Sequence, residues 1–177
     1  GIFTTLSSCS SRQLEEVTFR RATISVPELM ATAGKYFRKV YKGNKAHIDF
    51  KIQPLEGRIT GDWNQLRFLL ENLIDEACSV TLDGAVCLSA QEDGEFIRFL
   101  FTDMRREKTR EELNQLFYPD LSRMTAGEKG ELYGTEYLVC KQIIRDHDEF
   151  AGRRGCRINA EPGKEGGFTI YFTLPKK

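Results

Sequence analysis

Between Asp62 and Asp103 the spacing of apolar residues changes from the period of a helix to that of a strand. This change limits the chain to folds in which a helix lies on a sheet. Leu66, Leu69, Leu70, Leu73 and Ala77 form one stripe, Phe68 and Ile74 widen it, and Asp62, directly after Gly61, is placed to cap the helix N-terminus. Val86, Leu88 and Ala90 then alternate, Asp93-Gly94 supplies a turn signal, and Ile97, Phe99 and Phe101 alternate again. That pattern is a hairpin whose second strand ends at Thr102-Asp103. Apolar faces on a helix and on adjoining strands bury each other.

The flanking segments fit the same layered plan. Ser25 is a candidate N-cap with Pro27 in the first turn, Leu29, Ala33, Phe37 and Val40 make one face, and Gly43-Asn44 ends this helix. Ile48, Phe50 and Ile52 alternate, so His47 to Gln53 reads as a half-buried strand. Gln13 to Ser25, with Val17 and Phe19, reads as a short strand, and the Ser/Thr-rich residues Gly1 to Arg12 as a frayed end or the stump of a truncated helix. After Asp103 comes a charged stretch, Met104 to Tyr133, with one apolar knot at Leu116-Phe117-Tyr118. A connection this long inside a compact domain is a functional lid or a mobile loop. Gly134 opens a third helix carrying Leu138, Ile143 and Ile144, and Arg157 to Ala160 and Phe168 to Leu174 are two closing strands joined by a Gly-rich turn. The expected architecture is a two-layer α/β sandwich: a mixed sheet covered on one face by helices, with a long lid. Residues 1–13 are a tail and 14–177 the domain.

Composition removes several classes. With 177 residues, 26 Lys plus Arg and 26 Asp plus Glu, the chain is one domain without the excess cationic charge of a nucleic-acid binder. Five scattered Cys without a CxxC pair and only two His, His47 and His147, argue against a zinc cluster or a disulfide scaffold, and fit a reducing cytoplasm. No apolar run is long enough to span a membrane. Gly1 in place of Met is what an excised fragment with a one-residue cloning remnant looks like.

Several words in this order resemble the ATP-binding domain of sensor histidine kinases, within the fold family that also holds gyrase, chaperone and mismatch-repair ATPases. Asn72-Leu73-Ile74-Asp75-Glu76-Ala77 resembles the core of the family's first motif helix, usually Asn-Leu-Leu-x-Asn-Ala. Phe101-Thr102-Asp103 resembles the strand ending in the Asp that binds adenine, and Leu116-Phe117 the aromatic motif of the lid. Gly134 to Arg145 is similar to the glycine motif with its following helix, and Gly166-Gly167-Phe168-Thr169 to Leu174-Pro175 to the closing strand. The resemblance runs from about Leu14 to Pro175.

The resemblance implies a site. Asp103 takes the adenine amino group, or else simply caps the turn at its strand end. Glu76, where the family has Asn, is the Mg²⁺ ligand, or else a solvated helix residue; Asn72 orients the site one turn earlier. A carboxylate at about 4 Å from a phosphate costs about 4 kcal/mol at an effective dielectric of about 20, so the metal must be bound for Glu76 to be tolerated. Gly134, Gly130 (in a shifted lid) and Thr169 complete the nucleotide set.

The chain departs from the family where glycines are needed. After the Asp, Asp-x-Gly-x-Gly is replaced by Asp103-Met104-Arg105-Arg106-Glu107, and Leu132 and Glu136 stand at the flanking positions of the second glycine motif. Side chains at points of close phosphate approach clash with or repel the nucleotide. Arg105 either reaches a phosphate as a substitute cation or is a solvated lid residue, the simpler reading. Neither His47, in a strand, nor His147, in His147-Asp148-Glu149, matches a phosphoacceptor helix; both read as structural or surface residues.

The expected function is therefore the ATP-binding domain of a two-component sensor histidine kinase, with Mg-ATP bound for transfer to a His on a separate dimerisation domain, and with nucleotide binding weakened or lost. Such a fragment does not autophosphorylate alone. Its expected partners are the phosphoacceptor domain of the same protein and a response regulator. The full protein is expected to be a homodimer, cytoplasmic or the cytoplasmic part of an anchored sensor. The alternative is a non-catalytic, pseudokinase-type interaction module. A mismatch-repair or chaperone ATPase ranks lowest, because those place a catalytic Glu before the Asn, whereas here Asn72 precedes Glu76.

Overall fold

The computed structural model describes residues 18–118 and 135–177. In chain order the elements are β1 (Ala22–Ser25), α1 (Val26–Val40), β2 (Ile48–Gln53), β3 (Arg58–Gly61), α2 (Trp63–Cys78), β4 (Gly84–Asp93), β5 (Phe96–Asp103), α3 (Arg110–Gln115), α4 (Thr135–Phe150), β6 (Ile158–Pro162) and β7 (Phe168–Pro175). Five strands form one mixed sheet in the order β2-β4-β5-β7-β6, while β1 and β3 pair separately. β2 and β4 run parallel. That pairing needs a crossover, which β3 and α2 supply. The remaining pairs are antiparallel, and the whole is the expected two-layer α/β sandwich.

Both expected helix starts are present. The Ser25 hydroxyl accepts from the Glu28 N–H and the Asp62 carboxylate from the Gln65 N–H, each satisfying a donor that the first helical turn leaves free. Leu66, Leu69, Leu70, Leu73, Ile74 and Ala77 of α2 are buried. They share one core with Val86 and Leu88 of β4, Ile97, Phe99 and Phe101 of β5, and the inward residues of β7. Phe99 and Phe172 stack at 5.0 Å in that core. Each such side chain contributes about 1.5–3 kcal/mol by leaving water, so the helix–sheet interface dominates the fold's stability. α2 packs between α1 and α4.

Some sequence expectations needed adjustment. Within Gln13 to Ser25 the described strand is only Ala22–Ser25, and residues 13–17 lie outside the described residues. β3, four residues long, was not foreseen; it forms because β1 lies antiparallel to it, Ala22 opposite Gly61. The charged stretch after Asp103 is not all loop. It holds α3, whose Thr109 and Glu112 make a reciprocal capping box.

His147 is structural. It is fully buried, its Nε2 accepts the Asp62 N–H at 3.0 Å, and its Nδ1 therefore carries the proton and donates to the Ile143 carbonyl at 2.8 Å. Among the described residues no helix is long and apolar enough to cross a membrane, and no three His, Cys, Asp or Glu side chains are grouped to hold a metal ion.

Candidate nucleotide site

The site forms where β5 ends beside the C-terminus of α2. Asp103 pairs with Val86 on β4 and Phe168 on β7, and the Met104 N–H continues the ladder to the Ala85 carbonyl at 3.0 Å. The chain from Ala77 to Gly84 runs alongside. A carboxylate here is placed by three strands, and its side chain is only 1% exposed.

That carboxylate already has partners. Asp103 Oδ1 accepts from the Arg105 backbone N–H at 3.0 Å and from Arg105 Nε at 2.9 Å. Asp103 Oδ2 accepts from Arg105 Nη2 at 2.8 Å and from Arg106 Nε at 2.9 Å. Burial pushes the Asp103 carboxyl upward, but the hydrogen bonds from Arg105 and the two guanidinium charges outweigh it and hold it below the usual carboxylate range.

Arg105 is the centre of the arrangement. Its side chain is 1% exposed, so the solvated-lid reading is wrong. Nη1 donates to the carbonyls of Val80 at 3.2 Å and Leu82 at 2.9 Å, and Nη2 to the carbonyl of Ala77 at 2.6 Å, besides the two bonds to Asp103. All five guanidinium N–H groups are thus used. α2 has no basic residue in its own last turn. Arg105 brings a cation to the negatively polarised C-terminal end of α2, sharing the Ala77 carbonyl with the Val80 N–H and the Val80 carbonyl with the Leu82 N–H.

Arg106 completes the cluster. Its Nη2 and Nη1 grip Glu76 Oε1 and Oε2 at 3.0 and 3.2 Å, a two-pronged pairing of guanidinium and carboxylate. The Glu76 side chain is 19% exposed and is a partner of Arg106 rather than a solvated residue. The two carboxylates and the two guanidinium groups balance in charge. Arg106 also lies 5.3 Å and Lys108 5.1 Å from the Phe168 ring centre. Glu107, at the other replaced glycine, accepts the Gly167 N–H at 2.7 Å.

The remaining candidates are less central. Asn72 turns its amide back to the Phe68 carbonyl of its own helix at 2.7 Å. Thr169 is buried, with its hydroxyl 2.8 Å from that of Thr102 across the β5–β7 pair. Gly130 and Gly134 lie outside the described residues. Asp75, the variable position of the motif helix, accepts from Tyr36 at 2.7 Å and Tyr41 at 2.6 Å and so ties α1 to α2. Arg106 was missed from the sequence. The available signal was the charged run Arg105-Arg106-Glu107 standing where the family has two glycines after the Asp.

The residues present do not fit a nucleotide and its Mg²⁺ in this arrangement. The carboxylate that would take an amino group is saturated by N–H donors, and the carboxylate that would take a metal is neutralised by Arg106.

The chain is 30% identical over 138 residues to the adaptive-response sensory kinase SasA of Thermosynechococcus vestitus, a match that covers 76% of this chain and 34% of that protein. The chain thus spans about a third of that relative's length. Among solved structures, the catalytic domain of histidine kinase ThkA superposes with a TM-score of 0.67 at 20% identity, covering 89% of this chain and 96% of that one. ThkA in complex with the response regulator TrrA superposes with a TM-score of 0.66 at 18% identity, covering 99% of this chain and 48% of that one. The family model described as histidine kinase-, DNA gyrase B- and HSP90-like ATPase matches residues 61–177, and the chain belongs to that family.

Proposed function

We propose that this domain has exchanged nucleotide for an internal arginine, and that it works as a pseudokinase-type module of a larger two-component sensor. The observation that carries this reading is the saturation of Asp103 by Arg105 and Arg106. Adenine reaches that carboxylate only if Arg105 withdraws and gives up five hydrogen bonds. Bonds to a charged group are worth about 1.5–3 kcal/mol each, so unreplaced they sum to about 10 kcal/mol. Micromolar nucleotide affinity supplies only about 8 kcal/mol. The closed cluster wins that comparison.

In this reading the domain conveys signals by contact, with the phosphoacceptor domain of its own protein and a response regulator as partners, and any phosphate on the acceptor His comes from elsewhere. ATP and Mg²⁺ are then ancestral ligands. The test is a thermal shift series with Mg-ATP, Mg-ADP and Mg-GTP. The expected result is no change in Tm at millimolar nucleotide. A rise of several degrees with the adenine nucleotides but not with GTP would refute the reading and restore a working adenine pocket.

A further inference from the structure

We propose that the end of α2 and Asp103 form a guanidinium socket, a site built for a planar cation with only donors, and that Arg105 is its resident occupant. The proposal rests on the reading that the site takes no nucleotide, and it concerns what the cavity does accept.

The atoms that touch the guanidinium are the two oxygens of Asp103 and the carbonyl oxygens of Ala77, Val80 and Leu82. All are acceptors. The Ala77 carbonyl belongs to the last turn of α2, where the helix dipole adds negative potential. A guanidinium presents five N–H groups in one plane and no lone pair, so every edge finds a partner. An adenine edge alternates donor and acceptor. Its ring nitrogens would face carbonyl or carboxylate oxygens with no hydrogen between them, and a site left with such unpaired polar groups discriminates strongly. A Lys ammonium, with three donors on a point, satisfies at most three of the five positions.

The surrounding chain makes room for this occupant. At Gly84 an added Cβ would lie 2.7 Å from Arg105 Cγ, and the backbone there has φ +136°. The absent side chain is the space through which the Arg105 stem passes.

The socket is tested by emptying it. Arg105→Ala should lower Tm, and guanidinium chloride or methylguanidinium chloride at about 10 mM should raise it again by several degrees in a saturable way. The same concentration of NaCl should not. The wild type, with its socket filled, should show no such rise. Asp103→Asn combined with Arg105→Ala should abolish the rescue. Absence of rescue in a folded Arg105→Ala, equal rescue by Mg-ATP or adenine, or rescue that persists in the double variant would each overturn the proposal. If Arg105→Ala does not fold, the wild type still reports. The Arg105 Nε–H should exchange with solvent far more slowly than those of exposed arginines in ¹H–¹⁵N spectra, and exchange at the exposed rate would overturn the proposal equally. A wild type that binds Mg-ATP refutes the proposed function, whereas the guanidinium response of Arg105→Ala reads the socket itself.

Discussion

Asp103→Asn changes one oxygen to an amide and leaves the shape of the side chain intact, so its cost measures what the carboxylate does in the ligand-free fold. The Asn oxygen can take the place of Asp103 Oδ1 and keep the bonds from the Arg105 backbone N–H and Nε. The amide then stands where Oδ2 accepted from Arg105 Nη2 and Arg106 Nε, donor against donor. Two charge-assisted bonds are lost, about 1.5–3 kcal/mol each. Arg105, with its side chain 1% exposed, becomes a buried cation without a counter-charge. Removing one partner of a buried pair costs about 3–5 kcal/mol, and the two routes to the number agree. A domain of this size is stable by about 5–15 kcal/mol, so the loss is a large share of the total. Urea denaturation at pH 7 should show the unfolding free energy lowered by that amount, read as a lower midpoint with the slope unchanged. If Asp103 were a free acceptor waiting for adenine, the substitution would cost little without ligand. A loss below about 1 kcal/mol would refute the internal ion-pair account. The contribution also has a pH signature. Because the folded carboxyl lies below its ordinary value, Asp103 stabilises above its unfolded pKa of about 3.9, and this is lost as pH falls through the lower folded value.

Two further outcomes follow from groups outside the cluster. Thr109→Ala removes the hydroxyl that accepts the Glu112 N–H at 3.1 Å, and amide exchange across Arg110–Gln115 should quicken roughly fivefold while the core is unchanged. His147 is held below its ordinary value by burial, which outweighs the upward pull of the Ile143 carbonyl and of Asp62 and Asp146. The unfolded chain therefore binds the extra proton first, and stability falls as pH drops below about 6.5. The wild-type urea midpoint should decline from pH 7 to pH 5, and His147→Gln should flatten that decline; an unchanged slope in the variant would assign the dependence to other groups.

The layered fold was legible because its signals are local. The α2 stripe, the Asp93-Gly94 hairpin and the caps at Ser25 and Asp62 each depend on residues a few positions apart. β3 was hidden because four residues carry no periodicity of their own; β1 supplies the partner. The site was half legible. Asp103 at a strand end stands out by its position after Phe101-Thr102, and the loss of glycines after it is visible at once. What sequence could not supply was the convergence of Ala77, Val80 and Leu82 on a residue more than twenty positions away. A cation in a charged loop looks solvated until the end of α2 is brought beside it. The absence of any basic residue in the last turn of α2 was the available sign that a cation would come from elsewhere.

The charged run Arg105-Arg106-Glu107, which includes both replaced glycine positions, is better understood as one device than as separate losses. Arg105 fills the cavity, Arg106 neutralises Glu76, and Glu107 holds the Gly167 N–H at the turn before β7. At Gly167 a Cβ would lie 2.1 Å from the Asp103 carbonyl oxygen, so the turn can approach β5 only as glycine, at φ +73°. Gly84 and Gly167 are the glycines that the arginine stem and the turn require. Two of the three charged side chains bind the last turn of α2, Arg105 at the Ala77 carbonyl and Arg106 at Glu76, and the third, Glu107, binds the β6–β7 turn. Restoring glycine at position 105 alone would empty the socket but leave Arg106 on Glu76 and on Asp103, and Glu107 on Gly167. Adenine would then meet a carboxylate still half engaged, and a metal would meet a Glu76 still paired. On the proposed reading, nucleotide binding does not return by one substitution, because the site is closed by three linked contacts and not by a single obstructing side chain.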